Sequence, residues 1–300
     1  MNIGEVRVAV RGVGDAVEQA RRYLASAQDA TGGWGYQAGR AAFVEPTALC
    51  LLALGSAQPD ALRVGQTWLR DGQLADGGWG ISRIDREGSW ATAWAIWALS
   101  SVTPPSESVN LARGVTWWET WQPWVGTPGQ ERDPALWIDP SLTGWPWSTG
   151  GTSWVEPTAL GIIALAAVGR RDSPRVAEAI GYLRDRACWH GGWNTGNPRM
   201  ISQDLPPAVV PTALVLLALQ DAGLSPSDAH VSAGLATLDT LLLAARTPLN
   251  LAWGLGAARR YQRRSDDPAR YLRAQQASNG GWRDSPYLTA LAVLALEETA

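Results

Sequence analysis

The sequence contains no lysine: all 25 basic residues are arginine, which excludes covalent catalysis through a lysine Schiff base. Cysteine occurs twice, at Cys50 and Cys188, too few for a disulfide framework, so a reducing compartment and a cytoplasmic location are expected. No stretch is long and apolar enough for a membrane span, and the opening "MNIGEVRVAVRGVG" lacks the apolar core of a signal peptide. With a formal net charge of −3 and no dense basic run, nucleic acid is not an expected partner. Phenylalanine appears once, as Phe43, and tyrosine six times, whereas tryptophan appears 18 times. Indole is a costly way to fill a core, so a chain that prefers it has a specific use for it. Hydrophobic content of 46% against 18% charged residues supplies a substantial core and argues against disorder.

What is present is a repeat. "YLASAQDATGGW" from Tyr23, "WLRDGQLADGGW" from Trp68 and "YLRAQQASNGGW" from Tyr271 align without a gap. "YLRDRACWHGGW" from Tyr182 keeps the frame with Ala187 in place of Gln, and "WWETWQPW" from Trp117 keeps Gln122 before a long insertion. A second element follows each copy: "VEPTALCLLAL" from Val44, "SWATAWAIWAL" from Ser89, "VEPTALGIIAL" from Val155, "VVPTALVLLAL" from Val209 and "PYLTALAVLAL" from Pro286. These are Ala- and Leu-rich and apolar on nearly every face, which predicts buried helices. The preceding segments are apolar on one stripe only, as in Val17, Ala20, Leu24 and Ala27 of the first, which predicts outer helices. Gly-Gly stops the outer helix, Pro at the first helical position starts the inner one, and Gln bonds the last carbonyls while stacking on the following Trp. With the degenerate pair "GLATLDTLLLAAR" and "NLAWGLGAARRY" there are six hairpins, read as outer helix then inner helix. The expected fold is all-α: one (α/α)6 toroid over residues 1–300, with parallel inner helices whose N-termini share one rim.

The Gln-to-Gly-Gly-Trp spacing resembles the QW repeat of squalene-hopene and related terpenoid cyclases, and residues 14 to 298 resemble the prenyltransferase and squalene-oxidase repeat family. The resemblance implies an aromatic-lined cavity at the inner-helix rim that holds an isoprenoid. In class II cyclases Asp-x-Asp-Asp stands before a Thr-Ala that starts an inner helix, and its middle Asp donates the initiating proton. The matching positions here are Trp154, Val155, Glu156 and Pro157 ahead of Thr158-Ala159, so a single acid survives, as Glu. Glu45 occupies the same place before Pro46-Thr47-Ala48. The zinc-dependent branch of the family is rejected, because its His position corresponds to Leu288.

Glu156 and Glu45 are therefore the catalytic candidates. Protonating an alkene needs a neutral carboxylic acid, which requires desolvation to raise its pKa, whereas the helix N-terminal dipole works the other way; the plainer reading makes both residues helix starters. Trp90, Trp94 and Trp97 recur at helical spacing as one stripe, facing either the bore or the outer ring. Trp154, Phe43 and Tyr287 stand at rim positions as substrate-binding candidates. Residues 123–153 form a Trp-, Pro- and Gly-rich insertion read as a lid; within it Trp145 and Trp147 are binding candidates, and Asp133 and Asp139 secondary acids. Arg199, with Arg40, Arg83, Arg86 and Arg283, offers guanidinium groups to a diphosphate. Cys188 and His190 are a weak metal pair, so no metal or other cofactor is expected.

The expected function is proton-initiated cyclisation of an isoprenoid. The alternatives are a non-catalytic toroid that binds a lipid or peptide and a glycan-active (α/α)6 enzyme. An isoprenoid or other apolar small molecule is the expected partner; peripheral membrane contact and a partner subunit completing the cavity are compatible with the sequence.

Overall fold

The computed structural model describes residues 13–101, 108–125 and 137–297. Among them twelve helices alternate between two layers. The inner ones are α2 (Val44–Leu54), α4 (Ala91–Ser100), α6 (Val155–Ala167), α8 (Val209–Asp221), α10 (Pro248–Arg260) and α12 (Pro286–Leu296). The outer ones are α1 (Val13–Ser26), α3 (Pro59–Asp71), α5 (Val109–Thr120), α7 (Pro174–Asp185), α9 (Ala229–Ala244) and α11 (Asp266–Ala274). Each inner helix packs on the next, and α12 returns to α2, which closes an (α/α)6 ring. Two short hairpins, β1 (Trp145–Pro146) with β2 (Ser153–Trp154) and β3 (Arg199–Met200) with β4 (Gln203–Asp204), decorate the rim loops. No described helix is long and apolar enough to cross a membrane.

The pairing differs from the outer-then-inner reading. Outer helix α3 lies on α2, α5 on α4, α7 on α6, α9 on α8 and α11 on α10, while α1 lies on α12. The reason is loop length. The connection after α2 spans four residues and folds the chain straight back, whereas the Gly-Gly-Trp segment carries it sideways into the next sector.

That segment is a clasp with four bonds. The backbone N–H of Trp34, Trp79, Trp145, Trp193 and Trp282 donates to Oγ1 of Thr47, Thr92, Thr158, Thr212 and Thr289 in the following inner helix, at 2.8–3.0 Å. The five indole N–H groups, all wholly buried, donate to carbonyls in the last turn of the preceding outer helix at 2.7–3.0 Å. The Gln amide does not bond the last carbonyls of its own helix: Gln28 Nε2 donates to Gly32 O and to Ala61 O in the next outer helix, and Gln73 and Gln276 do the same to Gly77 and Asn110 and to Gly280 and Ala16. The indole thus adds a donor to the last turn of one outer helix, and the Gln amide, where present, ties that sector to the next.

Glycine is required twice in the motif. Gly32 has φ +100, and a Cβ on Gly33 would lie 2.8 Å from the Trp68 ring that covers it. A third glycine, in the outer helix, was not foreseen: a Cβ on Gly65 would meet the Trp34 ring at 2.6 Å, and Gly114 and Gly234 stand likewise against Trp79 and Trp193. The third copy departs from the frame. Gln122 is exposed, and Arg175 takes over, donating to Gly144 O and Trp121 O while its guanidinium lies 4.4 Å over Trp145.

Pro248 and Pro286 open α10 and α12 as the Pro signal predicts, whereas α2, α6 and α8 begin two residues before their Pro. Phe43 and Trp154 are the N-caps of α2 and α6, so Pro46 and Pro157 sit at the third helical position, where a missing N–H leaves nothing unpaired.

Candidate functional site

The clasp threonines orient the bore. A residue two places before such a threonine lies about 200° around the helix from it and faces the ring axis. These positions are Glu45, Trp90, Glu156, Val210 and Tyr287, with Leu249 of α10 at the same level. One turn further in come Leu49, Trp94, Leu160, Leu214, Trp253 and Leu291, all buried. Below them Leu52, Trp97, Leu217 and Leu294 are again only half-buried. The bore is thus accessible at both ends and filled in its middle. Trp94 and Trp253, from helices on opposite sides of the ring, bring their rings within 6.2 Å, and Trp94 stacks on Trp97 at 5.3 Å. Through Trp94 the Trp90–Trp94–Trp97 stripe meets the opposite side of the ring at Trp253.

The upper layer carries two carboxyls. Glu156 is 9% exposed, and its Oε2 is buried without a hydrogen-bond donor. Burial pushes its pKa up to about 7 against a small opposing bond from its own backbone N–H. Glu45 accepts a hydrogen bond on Oε2 from the Tyr36 hydroxyl at 2.6 Å; burial pushes it to about 7 as well, with that phenol pulling the other way. Burial is the dominant influence at both positions. No guanidinium stands against either carboxyl among the described residues.

Aromatic rings frame these acids. Tyr36 lies 5.3 Å from Phe43 and 5.3 Å from Tyr287, and burial beside Glu45 raises both tyrosine hydroxyls well above their usual range. Trp147 meets Trp90 edge to face at 5.0 Å. Trp154 is partly exposed, with its ring against Gly196 of the neighbouring rim loop. Tyr36 and Trp253 are members of the site that sequence reasoning passed over. Tyr36 arrives on a loop, and Trp253 belongs to the degenerate repeat, although its place matches that of Trp94.

Other candidates go elsewhere. Trp145 is the clasp tryptophan of the third sector, wholly buried with both N–H groups bonded inside the protein, so it has no face to offer a ligand. Arg199 is engaged in its own hairpin: it donates to Ser202 O at 3.2 Å, pairs with Asp204 and lies over Trp137. Arg83 donates to the Trp68 carbonyl at the end of α3. Arg83 thus finishes a helix and Arg199 a hairpin. Of the insertion, Asp133 lies outside the described residues. Asp139 is tied by its backbone N–H to Asp185 at the end of α7, and Trp147 is the described residue that reaches the upper ring. No group of three His, Cys, Asp or Glu able to hold a metal occurs among the described residues, and Cys188 is buried, with its thiol raised to about 11.

No family model matches the chain, and no curated protein matches it in sequence. Solved structures do match in fold. The type II terpene cyclase MstE from Scytonema aligns with a TM-score of 0.65 at 18% identity over 95% of this chain and 97% of its own. A variant of that cyclase has been solved in complex with geranylgeranyl dihydroxybenzoate, its substrate, and another with merosterolic acid A, its product. An α-amylase from Clostridium perfringens aligns with a TM-score of 0.62 at 10% identity over 94% of this chain and 97% of its own. At these identities the likeness is one of fold: a closed α/α toroid.

Proposed function

We propose that the protein is a class II-type isoprenoid cyclase in which Glu156 is the initiating acid. The observation that carries this is a buried carboxyl with one oxygen unpartnered, facing the bore one helical turn above an indole floor. With no cation beside it and one oxygen left without a donor, this carboxyl keeps its proton up to about pH 7, as alkene protonation demands. The step from the Glu156 layer to the Trp94–Trp253 layer is about 6 Å, four residues of helix, which suits one terminal isoprene unit with the rest of the chain above it, among Phe43, Tyr36 and Trp147. Transfer of the Glu156 proton to the terminal alkene carbon leaves a tertiary cation over the indoles. Each well-placed ring stabilises such a cation by about 0.5–2 kcal/mol. The next double bond then attacks, and rings form.

The type II cyclase from Scytonema supports this reading in one further respect: it is matched over almost its whole length, so a toroid of this size suffices for that enzyme. The filled middle of the bore favours a second reading, an apolar-ligand-binding toroid without turnover. Incubation with C15 to C30 isoprenoids in D2O separates them. Cyclisation gives products carrying one deuterium from the initiating acid, and Glu156→Gln lowers their yield by about 10³-fold. Ligand binding without any product in the wild type would establish the second reading instead. A cytoplasmic location and the lid role of the 123–153 insertion belong to the same proposal; loss of cyclised product on Trp147→Ala would support the lid, and unchanged turnover would remove it.

A further inference from the structure

We propose that Glu45, held by Tyr36, is the proton acceptor that ends the reaction; this rests on the cyclase reading above. The two carboxyls stand at equivalent positions of α2 and α6, with the Trp90–Trp94 stripe of α4 between them. Both are buried, and it is their hydrogen bonding that distinguishes a donor from an acceptor. Glu156 has an oxygen that no group donates to. Glu45 receives the Tyr36 hydroxyl at 2.6 Å, a charge-assisted bond that supports the ionised form. The phenol is fixed in place: its ring sits against Phe43 and Tyr287, and its backbone carbonyl accepts from Ser285 Oγ at 2.5 Å. The remaining members of that layer, Trp90, Val210, Leu249 and Tyr287, offer no carboxylate.

The chemistry closes on itself. Glu156 gives its proton to the alkene, and ring closure moves the cationic centre along the chain. A C–H bond beside that centre then breaks, its electron pair becomes a new C=C, and its proton goes to Glu45. Substrate and product are isomers. Glu156 is left ionised and Glu45 protonated, and exchange with solvent resets both. Glu45 contacts the reacting C–H and is catalytic in this scheme; Tyr36 acts through it as a positioning residue.

The test is the fate of the cation, read by mass spectrometry of the products. Wild type should release a cyclic alkene. Glu45→Gln should keep consuming substrate within about tenfold of wild type, while a hydrated cyclic product, 18 mass units heavier, replaces the alkene. Tyr36→Phe should shift the same ratio by a smaller factor, and acetate added to Glu45→Ala should restore alkene. Should Glu45→Gln fail to fold, Tyr36→Phe, which deletes one hydroxyl, carries the comparison. An unchanged alkene product in both Glu45→Gln and Tyr36→Phe overturns the acceptor role. So does loss of consumption in Glu45→Gln as complete as in Glu156→Gln, which would mean Glu45 acts before the cation exists. If wild type consumes no isoprenoid, cyclisation itself is wrong, a result distinct from either.

Discussion

The clasp and the bore use the same six-fold frame in opposite ways. At the clasp, five sectors place the same two residues, Trp and Thr, in the same two bonds. At the upper bore layer, equivalent positions hold Glu, Trp, Glu, Val, Leu and Tyr. Where helices must be joined, one solution serves five of the six sectors; where the ring looks inward, the sectors diverge and polarity is confined to a few of them. The frame explains the fold, and the departures from symmetry are where the proposed chemistry would reside; toroids with different activities superimpose on the shared frame.

Breaking one side of that contrast should leave the other intact. The largest effect is expected from Glu156→Gln, which should lower isoprenoid turnover by about 10³-fold in a steady-state assay, with the helical circular dichroism unchanged. Next comes Trp79→Ala: removing a buried indole that fills the space beside Gly114 should cost about 3–5 kcal/mol in denaturant unfolding, while any residual product keeps the wild-type skeleton. A smaller effect has the reverse sign. Because the folded state holds a proton on Glu156 up to about pH 7, while the unfolded chain loses it near 4.5, ionisation costs stability as pH rises between those values. Glu156→Gln should thus gain roughly 1–3 kcal/mol at pH 8 and nothing at pH 4, measured by melting temperature against pH. The smallest effects belong to the clasp amides. Gln276→Ala should cost about 1 kcal/mol, and Ala187→Gln, which restores the amide absent from the fourth sector, should add up to about 1 kcal/mol in the same assay.

The repeat was legible because Gly-Gly-Trp and Thr-Ala recur at a fixed offset and each demands a particular backbone or bond. Glu156 and Glu45 were legible because the same frame puts them on the bore side. Which outer helix pairs with which inner helix was not, since that follows from how the loops travel in space. Trp145 was misplaced because a single glycine and a long insertion hide its frame. Tyr36 gave no signal: nothing in "GYQAGR" announces a phenol delivered to a carboxyl nine residues on.

One consequence of the closed ring concerns its making. The apolar stripe of α1, with Ala16, Val17, Ala20 and Leu24 buried, rests chiefly on α12, and Gln276 grips the Ala16 carbonyl. During synthesis the first helix therefore waits for the last, its oily side uncovered until some 270 further residues have emerged. A rearranged gene that opens the circle between two other sectors and joins α12 to α1 by a short linker would remove that delay and should yield the same ring.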